Sequence, residues 1–321
     1  VSQPDFPKQF LSIFKGKPLI NQTIERITGD FKKGERILII PEELKKITRK
    51  FVGGERIIIE PMRRNTTPAI CLVAMVLKKE YGDGIMHIMP ADHLITRYKD
   101  FIEALKFGGD LAEQGFLVTY GIKPTRSETG YGYIKVGKRI CAYKNIVAFE
   151  GAEFKEKPSL NKAKMYIKTD RYLWNSGIFS LRIEQILKEI EKFTPEVYRG
   201  VANYLQTGKK AYFSQISDIS IDYGIMEKSD RLCVVKGNFR WDDVGSWLAL
   251  ERYFKKDKSR NILIGNTMGL EIEDSIVYTY GVPVKVYGIK GLIVVVSPRG
   301  VLVCKKGRAS DLKKLLRERR I

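Results

Sequence analysis

Residues 34–93, GERILIIPEELKKITRKFVGGERIIIEPMRRNTTPAICLVAMVLKKEYGDGIMHIMPADH, alternate short β-branched runs with longer amphipathic stretches. The runs RILII (36–40) and RIIIE (56–60) read as buried strands with a short helix at 42–51 between them, and 85–89 reads as a third strand. Residues 68–81 carry Pro where a helix can start and a nearly continuous apolar surface, and Gly82 stops them. This order is the signature of a parallel sheet covered by helices, and it continues to about Leu181. GERILII and GERIIIE are alike, but two copies read as two strands with similar starts rather than a repeat.

Working outward, a helix is expected at 98–114, a strand at 116–120, and hairpin-forming strands at 131–136 and 146–149. Helix 162–169, strand 177–181 and helices 183–193 and 196–205 follow, the last two separated by Thr194-Pro195. A short helix runs from Trp247 to about Lys256. From Asn261 the composition shifts to short Gly-punctuated strands at 262–264, 270–272, 276–278, 284–286, 292–296 and 301–304. Such spacing suggests a small all-β unit, barrel or solenoid, closed by a basic helix at 310–320. The expected domains are 1–256 and 257–321.

Composition bounds the function. The 321 residues suggest two domains, or one large domain with an appendage, at ~100–200 residues each. With 44% hydrophobic and 29% charged residues the chain can bury a sizeable core, which excludes disordered and collagen-like classes. No apolar run approaches the ~20 residues needed to span a bilayer, and residues 1–10 lack a charged-then-apolar signal segment, so a cytoplasmic location without membrane partners is expected. Cys71, Cys141, Cys233 and Cys304 stand far apart, which suggests neither a zinc site nor a disulfide framework and favours free thiols. The formal net charge is +20, and residues 305–320 hold eight basic residues against two acidic ones. No basic stripe interleaved with aromatics and no paired Cys/His signature accompanies that charge, so a well-solvated surface is favoured over nucleic-acid binding.

Several loops carry chemistry. PADH (90–93) follows a strand end, where open α/β sheets bind ligands, and Asp92 suits a hard cation such as Mg²⁺; capping the next helix is the competing reading. WDDVGSW (241–247) holds two adjacent carboxylates, either of which could also be an N-cap. EPMRRNTTP (60–68) groups a carboxylate, two guanidinium groups, an amide and hydroxyls, as needed to read a nucleobase, or is an ordinary polar βα loop. ETGYGY (128–133) allows close backbone approach or is a strand kink. FKEKP (154–158) offers Lys157 to a phosphate or is a solvated face, and WNSG (174–177) offers Asn175 to sugar hydroxyls or is a tight turn. His87 alternates into a buried strand and reads as structural; His93 stays open between the two kinds of role.

The order of these segments is more specific than any one of them. PKQF (7–10), EPMRRNT (60–66), PADH, ETGYGYI (128–134), FKEKP, WNSGIF (174–179), SIDYGIMEKS (220–229) and FRWDDVGSW (239–247) resemble, over essentially the whole chain, the mannose-1-phosphate guanylyltransferases. The resemblance implies an α/β nucleotidyltransferase domain with a doubly wound mixed sheet, followed by a small left-handed β-helix-like domain. It implies transfer of GMP from GTP to mannose 1-phosphate, giving GDP-mannose and pyrophosphate. Carried over by matching motif, Lys8 would touch phosphate, Glu60, Asn65 and Thr66 would lie at the guanosine, and Asp92 and Asp243 would hold Mg²⁺. Gly132, Glu156, Asn175 and the Asp243 region would contact mannose, and Lys157 would offset charge on its phosphate. The basic terminal helix is placed to pack in a homodimer.

The family opens with an apolar strand and a loop of the form GGxGTRxxP, whose amides cradle the nucleotide phosphates. These 321 residues begin at Val1 just upstream of PKQF, without that strand and loop, and stop at Ile321 without the isomerase domain of bifunctional relatives. A catalytically silent nucleotide-sugar-binding or regulatory homologue is therefore the rival reading; Asp92, Lys157 and Asp243 argue against it. The 321 residues alone are expected to be more aggregation-prone than an upstream-extended chain, to bind GTP orders of magnitude more weakly and to turn over negligibly. Equal GTP affinity and rates from the two chains would show that these residues supply a phosphate site of another kind.

Overall fold

A computed structural model describes residues 6–14, 16–298, 300–312 and 315. The chain divides into two compact units, residues 20–242 and a second made of the described residues up to Leu19 with those from Asp243 onward.

In the larger unit, α1 (Leu19–Ile27, of which all but Leu19 belong to this unit) precedes β1 (Ile37–Pro41), α2 (Lys45–Phe51), β2 (Arg56–Glu60), α3 (Thr66–Tyr81) and β3 (Ile85–Ile88). Next come β4 (Leu94–Thr96), α4 (Tyr98–Glu113), β5 (Leu117–Ile122), β6 (Tyr133–Tyr143), β7 (Ile146–Lys155), α5 (Leu160–Ile167) and β8 (Tyr172–Arg182). The unit ends with α6 (Ile183–Phe193), α7 (Pro195–Thr207), α8 (Lys210–Ser214), a single wide turn over Asp222–Met226, β9 (Leu232–Lys236) and β10 (Arg240–Asp242).

Six strands form one mixed sheet in the order β3-β8-β5-β9-β7-β6. Only β5–β9 is a parallel pair in it. The sheet is mixed, as the family resemblance implies, and one part of the parallel reading of residues 34–181 is corrected: β1 and β2 pair in parallel, but as a separate two-stranded sheet attached to the core by side chains such as Ile39 and Ile58. The hairpin β6–β7 forms where hairpin strands were expected, and the returning strand β8 runs antiparallel to β3, β5 and β6, a direction that the hydrophobic pattern alone does not reveal.

Strand alternation places the sheet between two helical layers. On β9, Leu232 and Val234 face a cluster with α3, α6 and α7, while Cys233 and Val235 face one with α4 and Ala163 of α5. All four are essentially excluded from solvent, which is why this short run forms an interior strand. Helix α6 starts and ends where the sequence places it, and Pro195 at the first turn restarts the chain as α7. His87 is structural as expected: burial pushes it down to about 4, and its Nδ1 meets Ser180 Oγ at 2.6 Å.

In the smaller unit, β11 (Ile262–Ile264), β13 (Ile276–Thr279) and β15 (Leu292–Ser297) stack in parallel, β12 (Thr267–Leu270) pairs in parallel with β14 (Val284–Tyr287), and β16 (Gly300–Lys305) returns antiparallel on β15. This is a β-helix-like stack. The second expected strand, 270–272, forms instead at Thr267–Leu270. A buried corner joins the rungs: Asn261 Oδ1 accepts from Ser275 N at 3.0 Å, and Ser275 Oγ accepts from Leu292 N at 3.2 Å. The short helix expected after Trp247 is a 3₁₀ segment, Trp247–Arg252. Most of the expected terminal helix lies outside the described residues.

Candidate active site

Strand β8 organises the site. Its pairing with β5 shifts register between Thr119, opposite Phe179, and Gly121, opposite Asn175, so β8 carries two more residues than β5 across this step. Gly177 takes up the bulge at φ +67, a conformation that favours glycine. WNSG is thus neither a turn before a strand nor a strand start; it is a bulge inside one long strand.

The Asn175 carboxamide fills the bulge. Its Oδ1 accepts from Thr119 Oγ1 at 2.9 Å and from Gly177 N at 3.2 Å, and its Nδ2 donates to Asp222 Oδ1 at 2.8 Å. Asn175 N also donates to Gly132 O at 2.9 Å. A Cβ on Gly132 would stand 2.5 Å from Glu156 Oε2 and 3.3 Å from Asn175 Cβ, so glycine is what lets these three segments converge. Lys157 donates to Glu156 Oε1 at 2.5 Å, a bond that raises its ammonium pKa above the ordinary lysine value. Gly132, Glu156, Lys157 and Asn175, all named from the sequence, are therefore brought together.

Asp222, the fifth member, has no role assigned from the sequence. Burial pushes its carboxyl up to about 6, helped by the Glu156 charge and opposed by the Asn175 hydrogen bond and Lys157. The signal was present, since SIDYGIMEKS is one of the ordered motifs, but a five-residue wide turn has no periodicity to reveal which side chain faces inward.

The same segment holds the loop at 60–67. Thr66 Oγ1 accepts from Ile221 N at 2.8 Å, Thr67 N donates to Ile219 O at 3.1 Å, Asn65 Nδ2 donates to Asp218 Oδ1 at 3.0 Å, and the Arg64 guanidinium donates to Ser214 O. Asn65, at φ +68, caps α3 by accepting from Thr66 N at 3.0 Å, and the helix begins two residues earlier than the Pro68 start expected. Asn65 and Thr66 thus shape the loop, while Glu60 carries its buried charge. Burial pushes the Glu60 carboxyl up to about 7, although Arg64 N donates to its Oε1 at 3.2 Å.

Asp92 stands in the loop between β3 and β4. It is no helix cap, because β4 intervenes and Arg97 occupies the N-cap of α4. Its side chain is 34% exposed, and its Oδ1 is 3.9 Å from His93 Nε2. Trp241 Nε1 donates to His93 Nδ1 at 3.0 Å, so a neutral His93 ring carries its proton on Nε2. A Cβ on Gly177 would lie 3.8 Å from Pro90 and 3.9 Å from His93, which puts the bulge against this loop. In the smaller unit, Lys8 Nζ donates to the backbone carbonyl of Asp243, whose Oδ1 accepts from Gly245 N at 3.0 Å. Ser246, not an aspartate, holds the N-cap position of the segment that follows.

The description nucleotidyl transferase fits residues 4–260, and residues 265–318 match a MannoseP isomerase/GMP-like β-helix domain. The chain is 34% identical over 336 residues to a mannose-1-phosphate guanylyltransferase of Salmonella muenchen, an alignment covering 98% of this chain and 69% of that protein. The chain belongs to the mannose-1-phosphate guanylyltransferase family of nucleotidyl transferases. Its similarity to alginate biosynthesis protein AlgA of Pseudomonas aeruginosa is 31% identity over 99% of this chain and 68% of that one. A crystal structure from Thermus thermophilus, described as mannose-1-phosphate geranyltransferase, superposes with a TM-score of 0.88 at 33% identity, covering 98% of this chain and 93% of that one. A nucleotidyltransferase domain followed by a β-helix-like domain is thus the architecture of this member of the family. No described helix is long and apolar enough to cross a membrane.

Asp222 gives this guanylyltransferase family member a measurable pH signature. A carboxyl whose folded pKa is raised favours the protonated fold, so its stabilising contribution is complete below the unfolded value of 3.8 and is lost as pH rises through about 6. Asp222→Asn keeps an acceptor for Asn175 and removes the charge. It should stabilise the protein by about 2–3 kcal/mol at pH 7.5 and leave it unchanged near pH 4. Urea titrations at the two pH values test this; a loss of stability at pH 7.5 would contradict it.

Proposed function

We propose that the chain transfers GMP from GTP to mannose 1-phosphate, releasing pyrophosphate. The observation that carries the reading is one segment serving two clusters. Ile221 N bonds Thr66 in the loop assigned to guanosine, and the next residue, Asp222, bonds Asn175 in the cluster assigned to mannose. One backbone step would thereby set the separation between nucleotide and sugar.

In-line displacement requires no protein nucleophile. A phosphate oxygen of mannose 1-phosphate bonds to the α-phosphorus of GTP as the bond to the bridging oxygen of pyrophosphate breaks, so the protein aligns two anions and offsets their charge. Glu60 would accept from the N–H donors on the guanine edge, a pairing that adenine cannot offer. Glu156, Asp222 and the remaining N–H of Asn175 would meet mannose hydroxyls, with Gly132 leaving room for the ring, and Lys157 and Lys8 would meet phosphate oxygens.

Asp92 fits a hard-cation role: it is an oxygen donor at a strand end with its carboxylate partly open, and Mg²⁺ is commonly held by one or two carboxylates plus substrate phosphates. Asp243, in the other unit, is assigned to the same ion on the motif match alone. When bound, Mg²⁺ neutralises charge developing on the phosphates. The silent-homologue reading gains no support from these clusters.

Two measurements test the reading, run on this chain and on the upstream-extended one. GTP should be preferred over ATP by more than about a hundredfold with mannose 1-phosphate as acceptor, because a hydrogen-bonding site rejects an analogue that leaves its groups unpaired. Glu60 must be ionised to accept with both oxygens from two guanine N–H donors, so GTP affinity should rise as pH passes through about 7. Glu60→Gln should flatten that rise and cut the preference about tenfold or more, a loss of about 1.4 kcal/mol or more of discrimination. Equal use of GTP and ATP, or a preference for UTP with glucose 1-phosphate, would overturn the assignment.

A further inference from the structure

Helix α1, to which no role was assigned from the sequence, lies against the Asp92 loop. Thr23 and Arg26 are three residues apart and share one face of the helix. Arg26 Nη2 donates to His93 O at 3.2 Å, and Thr23 Oγ1 makes a longer contact of 3.5 Å with Ala91 O. The carbonyls on either side of Asp92 are therefore both held by α1.

Arg26 is an unusual residue to find here. It is 4% exposed, and its Nε and Nη1 have no hydrogen-bond partner among the described residues. Its guanidinium carbon lies 5.7 Å from the Tyr98 ring centre and 5.6 Å from that of Phe101. Desolvation brings its pKa down to about 10. A buried cation without a carboxylate partner is costly, and well-packed apolar residues often replace buried charges with no loss of stability. Packing alone gives no reason for a guanidinium at this position. A donor long enough to reach from α1 to the loop carbonyl, held near two aromatic rings, gives one.

We infer that Arg26, assisted by Thr23, is a positioning residue that fixes the Asp92 loop so that its carboxylate is presented to the metal ion. This rests on the assignment of Asp92 to Mg²⁺ made above. Trp241 also restrains the loop through the His93 ring, so the loop is gripped at both neighbours of Asp92 while the carboxylate between them stays partly open.

The test is Mn²⁺ affinity, read by the loss of the free-ion paramagnetic resonance signal with GDP-mannose at saturation, together with the thermal midpoint. Arg26→Met should weaken Mn²⁺ about tenfold while the midpoint stays level or rises, because an unpaired buried charge has gone. Arg26→Lys, which keeps a donor, should weaken it less, and Thr23→Val should weaken it by a few-fold. A purely structural Arg26 gives the opposite pattern, a lower midpoint with unchanged Mn²⁺ affinity, and that result overturns the inference. Should Arg26→Met fail to fold, unchanged Mn²⁺ affinity in both Arg26→Lys and Thr23→Val overturns it equally. Asp92→Asn separates the two assignments. If it leaves Mn²⁺ binding intact, Asp92 is not a ligand and both fall; if it abolishes binding while the Arg26 and Thr23 variants bind normally, only the positioning role falls.

Discussion

The Asn175 carboxamide and the bulge it fills depend on each other, and the rest of the site depends on both. A buried amide left without partners costs about 1–3 kcal/mol per group, and here the partners come from three places: Thr119 on the neighbouring strand, the Gly177 amide within the bulge, and Asp222 from a distant segment. Without the carboxamide, the Gly177 amide inside the bulge would lose the acceptor it now has, whereas the Thr119 hydroxyl could turn to Ile178 O at 3.1 Å. Without the bulge, Asn175 would not face Asp222. Since β8 pairs with β3, β5 and β6, this single irregularity fixes where three other strands deliver their ends.

The bulge also determines the electrostatic character of the cluster proposed to hold the sugar. Asp222 is drawn inward by its bond to Asn175 and so lies in the field of Glu156, with the Lys157 ammonium felt by both carboxylates. Two acceptors set against one cation is a balance that suits a polyhydroxyl ligand, whose O–H groups donate, joined to one phosphate, which needs the cation. The loop at 60–67, proposed to hold the nucleotide, is built on the opposite principle. There the amide and hydroxyl of Asn65 and Thr66 are bonded to the protein, and the carboxylate of Glu60 is kept buried near its neutral point.

Elements with a strong local pattern were legible in the sequence. Helix α6 agrees residue for residue, and the hairpin β6–β7 was placed correctly although its strands extend further than the apolar runs that revealed them. Much of what went unread is short: β9 is five residues long, β10 is three and α1 nine, although α1 carries Leu19, Ile20, Ile24 and Ile27 at helical spacing and its amphipathic pattern was open to reading. Of the site, the grouping of Gly132, Glu156, Lys157 and Asn175 was legible because each lies in a motif dense with unusual residues. Asp222 and Arg26 were not, because a carboxylate in a short turn and an arginine on a helix are ordinary in sequence. Only their burial makes them exceptional, and burial is a property of the tertiary fold.

Backbone strain points to the same places. Eight described non-glycine residues have positive φ, and six of them, Asn65 at the N-cap of α3 included, lie at a helix cap, a hairpin tip or the corners of the β-helix-like stack, where turn geometry accounts for them. The other two are Lys157 and Val244, within or beside the segments assigned to sugar phosphate and metal. Val244 is the most telling, since a β-branched residue at φ +47 is disfavoured and this one is buried as well. The left-handed turn there brings Gly245 N back to the Asp243 carboxylate while Lys8 takes the Asp243 carbonyl, so the strain is matched by two bonds that fix one aspartate. Unpaired charge at Arg26, a destabilised carboxyl at Asp222 and forced backbone at Val244 are three different physical costs. Each falls on a residue bonded to, or next in sequence to, a group proposed to hold a ligand, the pattern expected where local stability yields to function.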